Sequence, residues 1–176
     1  MSSMENEPKL PGNHGAAKDY YFLSSFTLVP DAKGRVTLAA SYREELGASE
    51  APPLVLYQAM QAKKYPFISI YPRDVWFREL NALIEDAKSQ KDRQAQLFVR
   101  KKMANCVQVS IDSAGRILVP KKMLEQCGIA KQALLCGVGN HMELWDPDEY
   151  ERFNSAESAD ELELDEYVAD KYGFML

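Results

Sequence analysis

The sequence predicts an α+β protein built from two tandem copies of one strand–turn–strand–helix unit. The first observation is a repeated pattern, Asp-x-x-Gly-Arg, at Asp31–Arg35 and again at Asp112–Arg116. The second is that the same shift of the sequence also superposes the segments that follow, as far as Gly47 and Gly128. An internal duplication of this kind favours two similar lobes that pack as one unit about an approximate twofold axis.

Each copy of the pattern predicts a tight turn between two strands. Its aspartate, Asp31 or Asp112, can accept hydrogen bonds from nearby backbone N–H groups. Its glycine, Gly34 or Gly115, supplies the positive φ that such turns require. A single pattern of this composition is common in ordinary hairpins and has little weight alone. The repetition makes it informative, and we assign these four residues to turn formation.

In each copy, a short strand and then a helix are predicted after the turn. The aromatic-rich stretch 20–29 has strand propensity and precedes the first turn. Ser41–Glu44 has the spacing of a capping box and predicts a helix start, with Gly47 at the helix end. The second copy places Pro120 near the first turn of the equivalent helix and Gly128 at its end.

Two further strands follow in each copy. Apolar residues 54–56 correspond to 134–136, and residues 68–71 correspond to 142–145. The first copy carries about seven extra residues around 61–67, and we expect these in a surface loop, where insertions cost little entropy.

Apolar residues at helical spacing predict a helix from Pro72 to about Ala87. A second helix is predicted from Asp92 to Met103, with the basic residues Arg93, Arg100, Lys101 and Lys102. This basic run is either a solvated helix face or a surface that lies over phosphates. The segment Asp146–Glu149 predicts a further helix start, with the aspartate as its cap.

Charge is distributed unevenly along the chain. Residues 146–176 hold eleven acidic and two basic residues, a net charge of −9, whereas the whole chain carries −5. The repeat region is therefore mildly basic, which permits nucleic-acid binding without requiring it. The tail has apolar residues at helical spacing, and it either packs on its own lobe or holds neighbouring subunits together. The expected organisation is a disordered leader at 1–18, a first repeat with its following helix at 19–88, a basic connecting helix at 89–104, a second repeat at 105–155 and an acidic tail at 156–176.

Other classes of protein lack support in the sequence. No apolar run has the length of a membrane span and the N-terminus has no apolar stretch of a signal peptide, so we expect a cytoplasmic protein without membrane contact. Cys106, Cys127 and Cys136 are odd in number and lie in apolar sequence, which favours reduced thiols over disulfides.

An enzyme would need a constellation of reactive side chains, and none is found. His14 and His141 stand alone, without metal-ligand spacing to a cysteine or to each other. The stretch Cys136–Gly139 is better explained as a turn between strands than as an exposed nucleophile. We therefore expect no catalytic residue, no metal and no cofactor.

The repeated turns do predict a positive surface. Arg35 and Arg116 each begin the strand after a turn, so two of them related by twofold symmetry would face double-stranded DNA together. Arginine binds guanine O6 and N7 or a phosphate through the same planar fork, and strands can enter the major groove. The basic residues expected to contact the DNA backbone are Lys33, Arg43, Lys121 and Lys122.

These residues resemble the MraZ family. The resemblance rests on the two turns, on Val119–Pro120 and Leu124 after the second turn, on the arginine-bearing helix before it and on the segment Glu143–Asp146, and it covers roughly residues 20–153. It implies two SpoVT-AbrB-like swapped-hairpin domains that form a pseudo-twofold, β-barrel-like core with flanking helices. The small-Pro pair expected after each turn is replaced by Ala39–Ala40 in the first copy.

The resemblance also implies a function. Such a protein would be a cytoplasmic, nucleoid-associated transcription factor that assembles into homo-oligomeric rings. It would bind repeated promoter boxes upstream of the division and cell-wall gene cluster, and regulate that cluster and its own gene. Arg35 and Arg116 would contact the DNA, supported by Lys33.

Two alternatives remain open at this point. The first alternative is that the protein is an interaction module of the antitoxin-like, swapped-hairpin type, whose acidic tail binds a basic partner. Alternatively, the tail screens the basic surface of its own chain from DNA.

Overall fold

The computed structural model describes residues 18–47, 51–61, 64–157, 167–168 and 170–171. Within them, strands and helices alternate as the duplication predicts. In chain order they are β1 (Ser25–Leu28), β2 (Arg35–Thr37), α1 (Ala40–Leu46), β3 (Leu54–Gln61), β4 (Tyr65–Pro72), α2 (Arg73–Ser89), α3 (Arg93–Ala104), β5 (Cys106–Val109), β6 (Arg116–Leu118), α4 (Lys121–Gln126), β7 (Ala133–Gly137), β8 (Met142–Trp145) and α5 (Pro147–Glu157).

The strands form a six-stranded antiparallel sheet and a separate two-stranded ribbon. The order in the sheet is β1-β7-β8-β4-β3-β5, and the ribbon pairs β2 with β6. If each strand is replaced by its equivalent in the other repeat, β1 by β5, β2 by β6, β3 by β7 and β4 by β8, the same order is obtained in reverse. This is the pattern that a twofold axis between the repeats produces. The α+β fold and the pseudo-twofold symmetry are confirmed.

Register shows where the pseudo-twofold axis passes. In the ribbon Val36 lies opposite Ile117, and these two residues occupy the same position in the two repeats. In the sheet Ser69 lies opposite Glu143, again at equivalent positions of the two repeats. The axis therefore runs through the centre of the ribbon and the centre of the sheet.

The two strands beside each turn do not pair with each other. β1 of the first repeat pairs with β7 of the second, β5 of the second pairs with β3 of the first, and β2 pairs with β6 across the repeats. The strand–turn–strand pattern is thus present, but each repeat donates both of its arms to the other. This exchange is the swapped arrangement that the family resemblance implied.

Successive side chains along each strand point to opposite faces of the sheet, so the molecule has three layers. Leu54 and Leu56 of β3 face one side and join the ribbon, α1 and α4 in the main core. Val55 faces the other side and packs with Trp76 of α2 and Val99 of α3. The helix α5 covers another part of that second side, where it contacts β4 and β7 and packs against Trp145 of β8. The ribbon and the helix pair α2–α3 therefore lie on opposite faces of the sheet.

The prediction of a capping box at Ser41–Glu44 is wrong. The helix begins at Ala40 with Ala39 as its cap, no side chain caps it, and Ser41 lies inside it. The backbone N–H of Leu38 is held by the carbonyl of Gly115, so the chain leaves the ribbon and turns into the helix at once. The helix then ends at Gly47, with φ 96°, as predicted.

The prediction that the extra residues of the first repeat form a surface loop is also wrong. The extra residues lengthen β3 and β4, which remain paired as far as Gln61 opposite Tyr65. They continue as strands because Tyr65 and Phe67 bury their rings against Phe153 and Trp145. Residues 62–63 lie outside the described part of the chain.

The remaining helices follow the sequence prediction. α2 and α3 lie within two residues of the expected limits, and the carboxylates of Asp92 and Asp146 accept backbone N–H bonds at the starts of α3 and α5. The leader at 1–18 lies outside the described residues except for Lys18, and the tail at 156–176 is described only in part, so both expectations remain predictions. Among the described helices, none is long and apolar enough to cross a membrane.

Candidate nucleic-acid interface

The β2–β6 ribbon presents both repeat arginines on one outward surface. The central residue of each strand is fully buried, so its neighbours face outward. Arg35 lies opposite Leu118, and Arg116 lies opposite Thr37. The two arginines are therefore diagonal neighbours, with α-carbons roughly 7–8 Å apart. They form a single surface, as the DNA-binding hypothesis requires.

Both turns have the geometry that the repeated pattern predicts. Oδ1 of Asp31 accepts the backbone N–H groups of Lys33 and Arg35, each at 2.9 Å. Oδ1 of Asp112 does the same for Ala114 and Arg116, again at 2.9 Å. The glycines of the two turns have φ values of 84° and 75°. The assignment of these residues to turn formation is consistent with this geometry.

Each arginine is held by the aspartate of its own turn. Nε of Arg35 donates to Oδ2 of Asp31 at 2.5 Å, and Nε of Arg116 donates to Oδ2 of Asp112 at 2.9 Å. The arginine side chains remain 34% and 33% exposed. Among the residues that the structure describes, their terminal nitrogens make no further hydrogen bond. Each guanidinium is therefore oriented through Nε, while its terminal nitrogens are available.

The hydrogen bonds to Asp31 and Asp112 also favour the ionised form of both carboxylates. The backbone N–H of Arg35 is the largest contribution that lowers the pKa of Asp31, from 3.8 to about 2, followed by the Arg35 side chain. The pKa of Asp112 is lowered for the same reasons by Arg116. Both carboxylates are therefore ionised at neutral pH, so each turn contains an ion pair.

Each turn is also bonded to the other repeat. The N–H of Val119 donates to the carbonyl of Gly34 at 2.9 Å, and that of Leu38 donates to the carbonyl of Gly115 at 3.0 Å. A Cβ atom at Gly34 would lie 2.7 Å from the Val119 carbonyl oxygen, which leaves room only for glycine. These contacts make the turns a rigid platform for the arginines.

Of the other predicted basic residues, three lie beside the turns and Lys122 lines a separate groove. Lys33 is exposed in the first turn, and Cγ of Lys121 lies 3.8 Å from the Cβ position of Gly34, so these lysines lie beside the first turn. Lys122 is exposed but lines a groove with Tyr57 at the β3–β5 edge of the sheet. Arg43 lies against the second turn, at Gly115.

The basic run of α3 does not join this surface. α3 lies on the face of the sheet opposite the ribbon, and Arg100 and Lys101 are exposed there. The ammonium of Lys102 lies 4.4 Å from the ring centroid of Tyr57 and 5.5 Å from that of Trp76. Burial lowers the pKa of Lys102. Nothing local in the sequence distinguishes Lys102 from its basic neighbours, so this packing was not predictable from the residues of α3.

The isolated histidine and the cysteine beside the glycines have structural environments. His141 stacks on Tyr71, with ring centroids 4.3 Å apart, and its Nε2 lies 3.7 Å from Oε1 of Glu143. Burial raises the pKa of Cys136 to about 11, so its thiol is protonated at neutral pH. No group of three or more metal-ligating side chains occurs in the described part of the chain.

Comparison with known proteins finds relatives along most of the chain. Residues 103–170 match the family model described as "MraZ protein, putative antitoxin-like". A protein named "Transcriptional regulator MraZ" from an Acidovorax species is 34% identical over 139 residues, which are 77% of this chain and 89% of the relative. A protein of the same name from an Anaeromyxobacter species is 34% identical over 147 residues, 84% of this chain and 95% of the relative. That of Alkaliphilus oremlandii is 33% identical over 150 residues, with coverages of 85% and 95%.

Proposed function

The chain belongs to the MraZ family, whose curated relatives are named transcriptional regulators, and on that premise we propose that it binds double-stranded DNA sequence-specifically through the β2–β6 ribbon. The observation that supports this most strongly is the position of Arg35 and Arg116. They share one outward surface, and each is oriented through Nε by a carboxylate of its own turn.

A two-stranded ribbon has the dimensions of the DNA major groove, which is about 12 Å wide. The terminal nitrogens of Arg35 and Arg116 can then bind guanine O6 and N7, the bidentate contact that distinguishes guanine from other bases. Thr37 and Leu118 are exposed on the same face and suit contacts with thymine methyl groups. The ribbon thus combines polar and apolar base contacts.

Basic residues around the ribbon supply affinity without sequence information. Lys33 and Lys121 beside the first turn and Arg43 beside the second lie where the sugar-phosphate backbone would pass, and Lys122 extends the positive surface along α4. Such contacts release counterions, so DNA binding should weaken steeply as salt increases.

One protomer presents few base contacts, so we propose that several act together in a homo-oligomeric ring. Large apolar side chains are exposed in two different parts of the protomer. Tyr21, Leu23 and Val29 lie on either side of the edge strand β1, and Leu97, Phe98 and Met103 lie on α3. Contact between two unlike surfaces produces a head-to-tail assembly, which closes into a ring when the rotation permits.

Such a ring would bind repeated boxes in a promoter. We propose that these boxes lie upstream of its own gene and of the division and cell-wall gene cluster, and that the protein acts on the nucleoid in the cytoplasm.

The test is a gel-shift titration with DNA from upstream of the gene. Replacing both Arg35 and Arg116 by alanine should abolish binding while the assembly keeps its size in gel filtration, since each lost base contact costs about 1–3 kcal/mol. The control is Arg78→Ala, an exposed arginine of α2 behind the sheet. Unchanged affinity of the double variant would refute the assignment.

The acidic tail supports a second candidate, binding of a basic protein partner, as in the interaction-module alternative. Affinity purification from native lysate separates the two functions. A stoichiometric basic protein without enriched DNA would favour the interaction module, whereas enriched promoter DNA would favour the regulator.

A further inference from the structure

The two turns have nearly the same backbone and are covered by different side chains. Because the repeats exchange their arms, α1 of the first repeat lies over the turn of the second. A Cβ atom at Gly115 would lie 2.6 Å from Cδ and 2.7 Å from Nη1 of Arg43. The side chain of Arg43 thus lies directly against the Asp112–Arg116 turn.

The equivalent position over the first turn is occupied by Leu124. This residue follows Gly115 by the same interval at which Arg43 follows Gly34, and it is buried in the main core. Its Cδ1 lies 3.5 Å from the Cβ position of Gly34. A hydrophobic side chain therefore covers the first turn, and a guanidinium covers the second.

Arg43 has no carboxylate partner among the residues that the structure describes. It lines a cleft of about 440 Å³ together with Ser110, Asp112 and Ser113, and its Nε is buried without a hydrogen-bond partner. The charge of Asp112 is balanced by Arg116. The cleft therefore has one uncompensated positive charge, and the two exposed serines contribute to its lining.

We propose that Arg43 and the second turn form a dedicated site for one DNA backbone phosphate, an inference that rests on the proposed DNA-binding function. A planar guanidinium binds phosphate through two donors with defined geometry. The first turn has only the exposed Lys33 and Lys121, whose ammonium groups are point charges on flexible stems. The second turn then holds the duplex in one geometry and the first does not, so a protomer binds with a preferred orientation despite its pseudo-twofold ribbon.

The experiment compares Arg43→Leu, Arg43→Lys and the control Arg78→Leu in the full chain. Leucine is the residue at the equivalent position of the second repeat, so its packing against a turn of this kind is already present in the molecule. Binding to upstream DNA is measured by fluorescence anisotropy over a range of salt concentrations, and phosphate contacts are mapped by ethylation interference.

We expect Arg43→Leu to reduce the slope of log K against log salt by about 1 per protomer bound, and one phosphate per half-site to disappear from the interference pattern. Arg43→Lys should keep the slope and bind more weakly, because it keeps the charge and loses the fork. Arg78→Leu should behave as the unmodified protein. An unchanged slope and interference pattern in Arg43→Leu would overturn the proposal even if affinity fell, because Arg43 would then only support the turn.

The Arg35 and Arg116 double variant keeps the two levels apart. If it abolishes binding while Arg43→Leu leaves slope and pattern unchanged, the phosphate site fails and DNA binding by the ribbon stands. If the double variant binds normally, the proposed function fails and the phosphate site fails with it.

Discussion

The two faces of the six-stranded sheet differ in how far they follow the duplication. On one face, the ribbon, α1 and α4 obey the pseudo-twofold axis closely, with the same turn bonds in both repeats. On the other face, the helix pair α2–α3 packs on β3 and β4, whereas α5 packs on β4, on β7 and on Trp145 of β8. The ribbon face must be matched because each repeat donates its arms to the other. The second face only has to exclude water, and different helices achieve this.

The first repeat contributes to both halves of the asymmetric face. Its lengthened strands place Phe67 on Trp145, with ring centroids 4.5 Å apart, and Tyr65 on Phe153 at 5.7 Å. These rings fill the space beside α5, on which no second helix packs in the described part of the chain. The extra residues of the first repeat thus place aromatic rings on the part of this face that α5 covers without a second helix.

The largest effect should come from the asymmetric face. Trp145 is 1% exposed and stacks between Phe67 and Phe153. Trp145→Ala should lower the free energy of unfolding by about 3–5 kcal/mol, the cost of a large aromatic cavity, as measured by urea denaturation. Met60→Ala, which changes an exposed residue of β3, should have little effect. A loss below about 1 kcal/mol for Trp145→Ala would show that this face is not a packed core.

A smaller effect should distinguish the two turns on the symmetric face. Both Gly34→Ala and Gly115→Ala should cost about 1–2 kcal/mol, because alanine disfavours positive φ. Gly34→Ala should cost about 1–3 kcal/mol more, since its Cβ meets the fixed carbonyl of Val119, whereas at Gly115 it meets the movable side chain of Arg43. The measurement is the difference in unfolding free energy between the two variants. Equal losses would mean that Arg43 is held as rigidly as backbone.

The charges on the two faces should contribute differently to DNA binding. Replacing both Lys33 and Lys121 by alanine should reduce the salt slope by about 2, whereas replacing both Arg100 and Lys101 should leave it unchanged. The second pair removes the same net charge from α3 on the opposite face of the sheet. The check is a salt titration of each variant on the same DNA. Equal slopes for the two double variants would indicate a non-specific effect of net charge.

The smallest effect concerns acid stability. The pKa of Asp31 falls on folding from 3.8 to about 2, so the unfolded chain takes up its proton first as pH decreases. The stabilisation is therefore complete above pH 3.8 and is lost as pH falls towards 2. Asp31→Asn should be less stable at neutral pH, and its melting temperature should fall less between pH 4 and pH 2. Parallel acid profiles for the two proteins would contradict this assignment.

Local signals in the sequence predicted much of this structure. The turns at Asp31–Arg35 and Asp112–Arg116, the helix cap at Asp146 and the helix end at Gly47 depend on residue types and bonds within a few positions of the chain. Such features need few long-range contacts, so residue type and spacing are sufficient to predict them.

Features that depend on distant contacts were not predictable from the residues alone. The exchange of arms, the position of Arg43 on Gly115 and the aromatic packing around Lys102 each join residues far apart in the chain. The two local predictions that failed were also overridden from a distance. The helix starts before Ser41 because Leu38 is fixed by the other repeat, and the expected loop became strand because Tyr65 packs on α5.

The exchanged arms also determine when this protein can fold. Ser25 completes its ladder only with Cys136, so the first strand has no native partner until most of the chain has left the ribosome. Such a high contact order slows folding and leaves an apolar edge uncovered during synthesis. The second repeat is equally dependent on the first, since β5 pairs with β3. Neither half should be stable when expressed separately, whereas co-expressed halves should find each other and restore the whole molecule.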